Sequence, residues 1–208
     1  MIGKLNKTLD LVVCAVPPTR SGRVRRSFID LVEVYGIQIT PAEQAILATF
    51  PPMLEERSDD VSEVLIALEA KACMTEHGKA IPRLFAEILA TGYLAKLAAP
   101  RSITVSYTVV NAAQEFITTS GSTPTRQHNQ PRDAQAVVEM LGTAIPTAAS
   151  FPSFGYDAIG VTVVDCRNDG SAVTLLSEAP SPGVNRYYHY DRMMRTICAE
   201  FRSRFSNL

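Results

Sequence analysis

The sequence predicts an α/β or α+β domain. Two observations carry this: β-branched apolar runs at Ile103–Val110 and Ile159–Cys166, and helix-length segments around them whose apolar residues recur at helical spacing. Strands that alternate with amphipathic helices pack as a sheet with helices laid on it. A chain of 208 residues, 46% hydrophobic and 20% charged, is expected to bury a sizeable core, so residues 1–208 read as one domain.

The elements follow in order. Leu9–Val16 is a short helix or strand, open between the two, stopped by Pro17-Pro18. Phe28, Leu31, Val32 and Tyr35 recur at helical spacing, with Gly36 where a helix would stop. Thr40-Pro41 is an N-cap followed by a first-turn proline, opening a second helix to Phe50. After Pro51-Pro52 and the acidic stretch Glu55–Asp60 comes Val64-Leu-Ile-Ala-Leu-Glu-Ala-Lys-Ala72, which pattern leaves open between helix and strand. A helix is expected from about Ala80 to Leu97, with Pro82 in its first turn and Leu84, Phe85, Ile88 and Leu89 on one face. Residues 118–132 are polar and turn-rich, a flexible loop. A helix over Asp133–Leu141 follows. Asn168-Asp169-Gly170 supplies hairpin chemistry between Ile159–Cys166 and a return strand at Val173–Leu176. An amphipathic helix from Tyr190 to Phe205 turns Met193, Met194, Ile197 and Phe201 inward.

Charge and cysteine usage narrow the function classes. Twenty Lys and Arg against twenty-one Asp and Glu leave a formal charge of −1, which gives no global attraction to a polyanion. Any nucleic-acid surface must therefore be local. The one basic cluster contains Arg23, Arg25 and Arg26. Cys14, Cys73, Cys166 and Cys198 form no Cys-x-x-Cys pair, which argues against a zinc knuckle and for free thiols in a reducing cytoplasm. Asp10 interrupts the N-terminal apolar run, which is short for a signal sequence, and no stretch is long enough to span a bilayer. A cytoplasmic protein is expected. With no Gly-rich phosphate loop and no nucleophile elbow, kinase, nucleotide-binding and serine-hydrolase readings have no support.

The residues that could do chemistry are Glu69 and Lys71. On a strand they point to one face, roughly 6–7 Å apart; on a helix they would diverge by about 200°. Charges in a run otherwise fit for a core survive by pairing or by binding a metal. Asp59 and Asp60 lie a hairpin's length upstream. Carboxylates hold Mg²⁺ through hard oxygens, the ion lowers the pKa of bound water, and a lysine beside it holds water or phosphate as a point charge. Such a set suits phosphodiester hydrolysis.

This pattern resembles the PD-(D/E)xK nuclease superfamily. The resemblance rests on Asp60 (or Asp59), Glu69 and Lys71, and on the element order over roughly residues 24–110. The runs Glu69-Ala-Lys-Ala-Cys-Met-Thr-Glu-His77, Pro82-Arg-Leu, Val110-Asn-Ala-Ala and Val164-Asp-Cys-Arg-Asn-Asp-Gly170 look like short bacterial restriction-endonuclease-like proteins. The resemblance selects strand for residues 64–72 and implies a restriction-endonuclease-like core, a central mixed sheet flanked by helices. It implies a DNA endonuclease dependent on Mg²⁺ or Mn²⁺, acting in restriction or phage defence, as a homodimer or within a larger defence complex. Asp60 and Glu69 would ligate the ion with the Ala70 carbonyl, Lys71 would position or activate the water, and Asp59 or Glu33 are second choices for the acid. Ser58, where the superfamily often has proline, leaves the choice between Asp59 and Asp60 open, with Asp60 preferred.

His77, Lys79 and Arg83 follow the triplet closely enough to touch a scissile phosphate, and Arg23, Arg25 and Arg26 could grip a DNA backbone. Ordinary surface charge accounts for the same residues, and a local ion pair accounts for Glu69 and Lys71. A non-catalytic nucleic-acid-binding or assembly subunit that keeps the scaffold is the alternative.

Overall fold

The computed structural model describes residues 9–15, 25–49, 53–54, 63–118 and 125–206. It divides the chain into two compact units, one made of Met1–Cys14 with Glu63–Leu208 and the other of Ala15–Ser62.

In the smaller unit the capping signals act as the sequence predicts. Helix α1 (Phe28–Tyr35) is opened by a capping box between Ser27 and Asp30, and closed by Gly36 in the left-handed region at φ 62°. Thr40 and Glu43 form the same box ahead of α2 (Pro41–Leu47), with proline in the first turn. This helix ends three residues before the expected Phe50. Strands β2 (Arg25–Arg26) and β3 (Met53–Leu54) pair antiparallel.

The larger unit holds a five-stranded mixed sheet flanked by helices. Its strands are β1 (Leu11–Ala15), β4 (Glu63–Cys73), β5 (Ile103–Asn111), β8 (Ala158–Asp165) and β9 (Thr174–Leu175), side by side in that order. Leu9–Val16, open in the sequence, is thus an edge strand. β4, β5 and β8 run parallel, and β9 returns antiparallel to β8. The hairpin triplet places Asn168 and Gly170 at positive φ, as its composition predicts. Parallel neighbours need crossovers, and α3 (His77–Ala98) and α4 (Arg132–Thr143) supply them. A small ribbon of β6 (Glu115–Ile117) and β7 (Thr125–Gln127) sits between β5 and α4 in the chain.

Two faces of the sheet are covered differently. Cys73, Val110, Ile159, Val161 and Val163 pack with Leu84 and Ile88 of α3 and Val137, Val138 and Leu141 of α4 in the main core. On the other face α5 (Tyr190–Phe205) lies against β8, where a side chain at Gly160 would meet Met193 and where Tyr107 and Tyr190 form an edge-to-face pair at 5.9 Å. Met193 is buried as expected, whereas Met194 is exposed.

Two expectations need correcting. α3 starts at His77 rather than near Ala80, so Pro82 sits inside the helix. Pro82 is the sixth residue of the helix, past the four whose N–H groups lack an intrahelical partner, so its ring forfeits the bond to the Gly78 carbonyl in the first turn. Residues 125–132 of the expected loop are built into β7 and the entry to α4, and His128 is buried there. Residues 119–124 lie outside the described residues. Among the described residues no helix is long and apolar enough to cross a membrane.

Candidate active site

β4 is a strand, so Glu69 and Lys71 share a face. Its burial alternates, with Leu65, Ala67, Glu69 and Cys73 turned into the core. In the parallel register Glu69 lies beside Ser106 and Lys71 beside Thr108 of β5, two further buried polar residues. The polar patch is therefore two strands wide and faces α3.

The carboxylate of Glu69 is 2% exposed and forms an ion pair with the Lys71 ammonium. Glu87 of α3 approaches the same ammonium, with Oε2 at 3.6 Å from Nζ, and is held from its other side by Arg83 Nε at 2.8 Å. Burial lowers the pKa of Lys71, but the hydrogen bond and charge of Glu69, backed by Glu87 and Asp10, outweigh it and hold the pKa raised. Lys71 is thus an ammonium at neutral pH. Glu87, bonded to Arg83 and close to Lys71, is held below the usual carboxylate range.

Asp10 is an acid beside β4 that the sequence reading did not place there. It stands just before β1, and its Oδ2 accepts a hydrogen bond from the Ala70 backbone N–H at 2.7 Å. A residue's N–H and C=O leave the same edge of an extended strand, so the Ala70 carbonyl is also turned toward β1. Asp10 was visible only as an acid heading an apolar run. Which strand that run would pair with is a long-range fact that no local pattern carries.

A cleft of about 430 Å³ opens between the C-terminal half of β4 and the first turns of α3, lined by Lys71, Thr75, Glu76, Lys79, Arg83 and Glu87 among others. Lys79 and Arg83, both predicted to contact DNA, are more than four-fifths exposed on this cleft. His77 is not at that surface. It is 2% exposed, and its Nε2–H donates to the Asn111 carbonyl at 2.7 Å, because a carbonyl can only accept. Burial, ahead of other causes, lowers its pKa, so the ring is neutral at pH 7.

Asn111 ties the carboxyl ends of the three parallel strands together. Its Nδ2 donates to the carbonyls of Met74 and Cys166, and its Oδ1 accepts from the N–H groups of Ala113 and Cys166. The site's turn, residues 74–76, is fixed through this side chain.

The remaining predicted residues divide simply. Asp59, Asp60 and Arg23 lie outside the described residues. Arg25 and Arg26 form β2, and Glu33 is an exposed carboxylate of α1, all in the smaller unit. At the opposite end of the sheet, Asp157 is 2% exposed and receives Lys96 Nζ at 2.6 Å, Arg204, and the Thr104 N–H. Burial alone would raise its pKa, yet Arg204 and Lys96 outweigh this and lower it. With both cations and the backbone satisfied, it is a structural network.

Comparisons with protein-family models, with curated proteins and with solved structures find no match to this chain.

Proposed function

We propose that this chain is a metal-dependent DNA endonuclease of the PD-(D/E)xK type, with Asp10 in the place of the first acid. The observation that carries the proposal is the arrangement on β4: Glu69 and Lys71 on one face, and the Asp10 carboxylate on the Ala70 N–H from the neighbouring strand.

The donor set suits a hard divalent ion. Asp10, Glu69 and the Ala70 carbonyl offer only oxygen, as Mg²⁺ and Mn²⁺ prefer. Among the described residues no three His, Cys, Asp or Glu side chains are grouped to hold an ion, so the third protein ligand in this reading is the backbone carbonyl. A bound divalent ion would supply an activated water and charge neutralisation at the phosphate. Lys71, protonated, is a donor and point charge: it orients the water or a phosphate oxygen and does not take up a proton. Glu87, itself held by Arg83, faces the ammonium from the helix side.

A non-catalytic subunit is the second reading, and the closed Glu69–Lys71 pair favours it. Plasmid nicking in Mg²⁺ or Mn²⁺ separates the two. On the nuclease reading Asp10→Asn, Glu69→Gln and Lys71→Ala each lower the rate by at least about 100-fold, the order of effect of losing a transition-state contact. Wild-type activity that survives all three in folded protein would remove this site. Defence against foreign DNA is the setting this activity would serve.

A further inference from the structure

We propose that the β6–β7 ribbon is the second hold on DNA, with Arg126 and Lys79 clamping a backbone phosphate next to the one at Lys71. This rests on the nuclease reading and extends it to a part of the chain outside the catalytic set.

The first observation is continuity. A second cleft of about 390 Å³ is lined by Thr75, Glu76 and Lys79, by Gly78 at the start of α3, and by Arg126 and Gln127 of β7. Thr75, Glu76 and Lys79 also line the cleft at Lys71. The two clefts therefore share a wall, with Lys71 lining the first and Arg126 the second.

The second observation is anchoring. His128, directly after β7, is 9% exposed; its Nδ1–H donates to the Ala113 carbonyl at 2.8 Å and its Nε2 faces the Thr75 hydroxyl at 3.2 Å. Its ring meets that of His77 edge-on at 4.9 Å. The base of the ribbon is thus fixed to the same turn that follows the catalytic strand. An arm held to that turn presents Arg126 at a set distance from the site, as a contact that positions a backbone requires.

The third is Glu76. Its carboxylate accepts from Lys79 Nζ at 3.0 Å and is stabilised in its ionised form by Lys79 and, more weakly, by the charge of Arg126. Glu76, Lys79 and Arg126 line one cleft, so a phosphate drawn to the two cations meets the Glu76 carboxylate there. Glu76 also holds a positive φ of 50°, uncommon outside glycine, at a helix start where its side chain makes no cap. A bound phosphate displaces this carboxylate, which makes Glu76 a competitor for the clamp.

The test is fluorescence anisotropy with a labelled duplex oligonucleotide in EDTA, where no cleavage intervenes. Arg126→Ala should weaken binding about tenfold, equally for unrelated sequences, and reduce the salt slope by about one. Glu76→Gln should tighten binding, the opposite direction. Melting temperatures within error of wild type establish that both variants are folded; Arg126→Gln replaces Arg126→Ala if the latter is not. Wild-type binding that is indifferent to both substitutions overturns the clamp and leaves the nuclease reading intact. Nicking that requires Lys71 but not Arg126 does the same. Wild-type protein that binds no DNA in EDTA, nor in Ca²⁺ in its place, overturns both.

Discussion

His77 carries a charge balance that can be read out by pH. It is buried, its Nε2–H is committed to the Asn111 carbonyl, and its Nδ1 has no hydrogen-bond partner among the described residues. Protonation would put a cation on that buried nitrogen at the positive end of α3. Its folded pKa is accordingly lowered from the ordinary 6.5. The sign follows: the unfolded chain takes up the proton first, so the stability His77 contributes is complete above 6.5 and is lost as pH falls through the folded value. Melting followed from pH 7 down to about 5 should show a decline of at most about 1.4 kcal/mol per pH unit from this one proton. The carboxylate of Asp157, with a lowered pKa, contributes only at more acid pH. A His77→Gln variant, able to keep the bond to Asn111, should lose the decline; an equal decline in that variant would place its origin elsewhere. At this scale the sequence was partly legible. Period-two alternation puts Glu69 and Lys71 on one face once β4 is a strand, but nothing local says that Asp10 would reach Ala70 or that Glu87 would face Lys71.

At the scale of elements, two glycines with opposite surroundings show where the fold is tight. A Cβ on Gly155, just ahead of β8, would lie 2.2 Å from the Thr147 carbonyl oxygen and 2.7 Å from the Ala148 nitrogen, both main-chain atoms that cannot rotate away. This stretch is held by Ala148 N–H to the Tyr156 carbonyl at 2.7 Å and by Tyr156 N–H to the Pro146 carbonyl at 2.9 Å. It sets where Tyr156 and Asp157 enter the core. Gly155→Ala should cost roughly 1–3 kcal/mol, the range for overpacking. Gly78, in the first turn of α3, has nothing within 4 Å of its ideal Cβ. Gly78→Ala should be neutral or stabilise by up to about 1 kcal/mol through helix propensity. Urea unfolding of the two variants decides it, and a Gly155→Ala protein as stable as wild type would refute the close approach. The elements whose ends are set by capping, turn and periodicity signals, such as α1, α5 and the β8–β9 hairpin, were readable from the sequence. β4 was not, because Val64–Leu68 is apolar on both faces and Val64–Ala72 contains good helix formers. Its parallel pairing with β5 decides the matter, and that partner lies a whole crossover helix away. The order after Thr125 was hidden for a similar reason: a polar segment becomes fixed when His128 finds Ala113 and Thr75, residues a local reading cannot pair with it.

For the whole molecule the testable quantity is linkage between metal binding and folding. Asp10, Glu69 and Ala70 come from segments separated by the smaller unit's sequence, and only the folded larger unit brings them together. An ion that needs all three binds the native state and not the unfolded chain, so it must raise stability by RT ln(1 + [L]/Kd). At a hundredfold excess over Kd this is about 2.7 kcal/mol. For a chain of this size each kcal/mol moves the midpoint by about 2–4 °C, so Mg²⁺ or Mn²⁺ should raise it by roughly 5–10 °C. Part of that gain is offset, because the ion must draw Glu69 from its ion pair with Lys71 and leave the ammonium facing Glu87. That competition predicts a pattern among variants. Lys71→Ala removes the ammonium paired with Glu69, lowers the metal-free midpoint, and should enlarge the metal-induced rise; Glu69→Gln and Asp10→Asn should abolish the rise. Scanning calorimetry with Mg²⁺, Mn²⁺ and EDTA measures all four proteins. A midpoint indifferent to either ion in wild type would count against any metal on β4 and leave Glu69 and Lys71 as a structural pair.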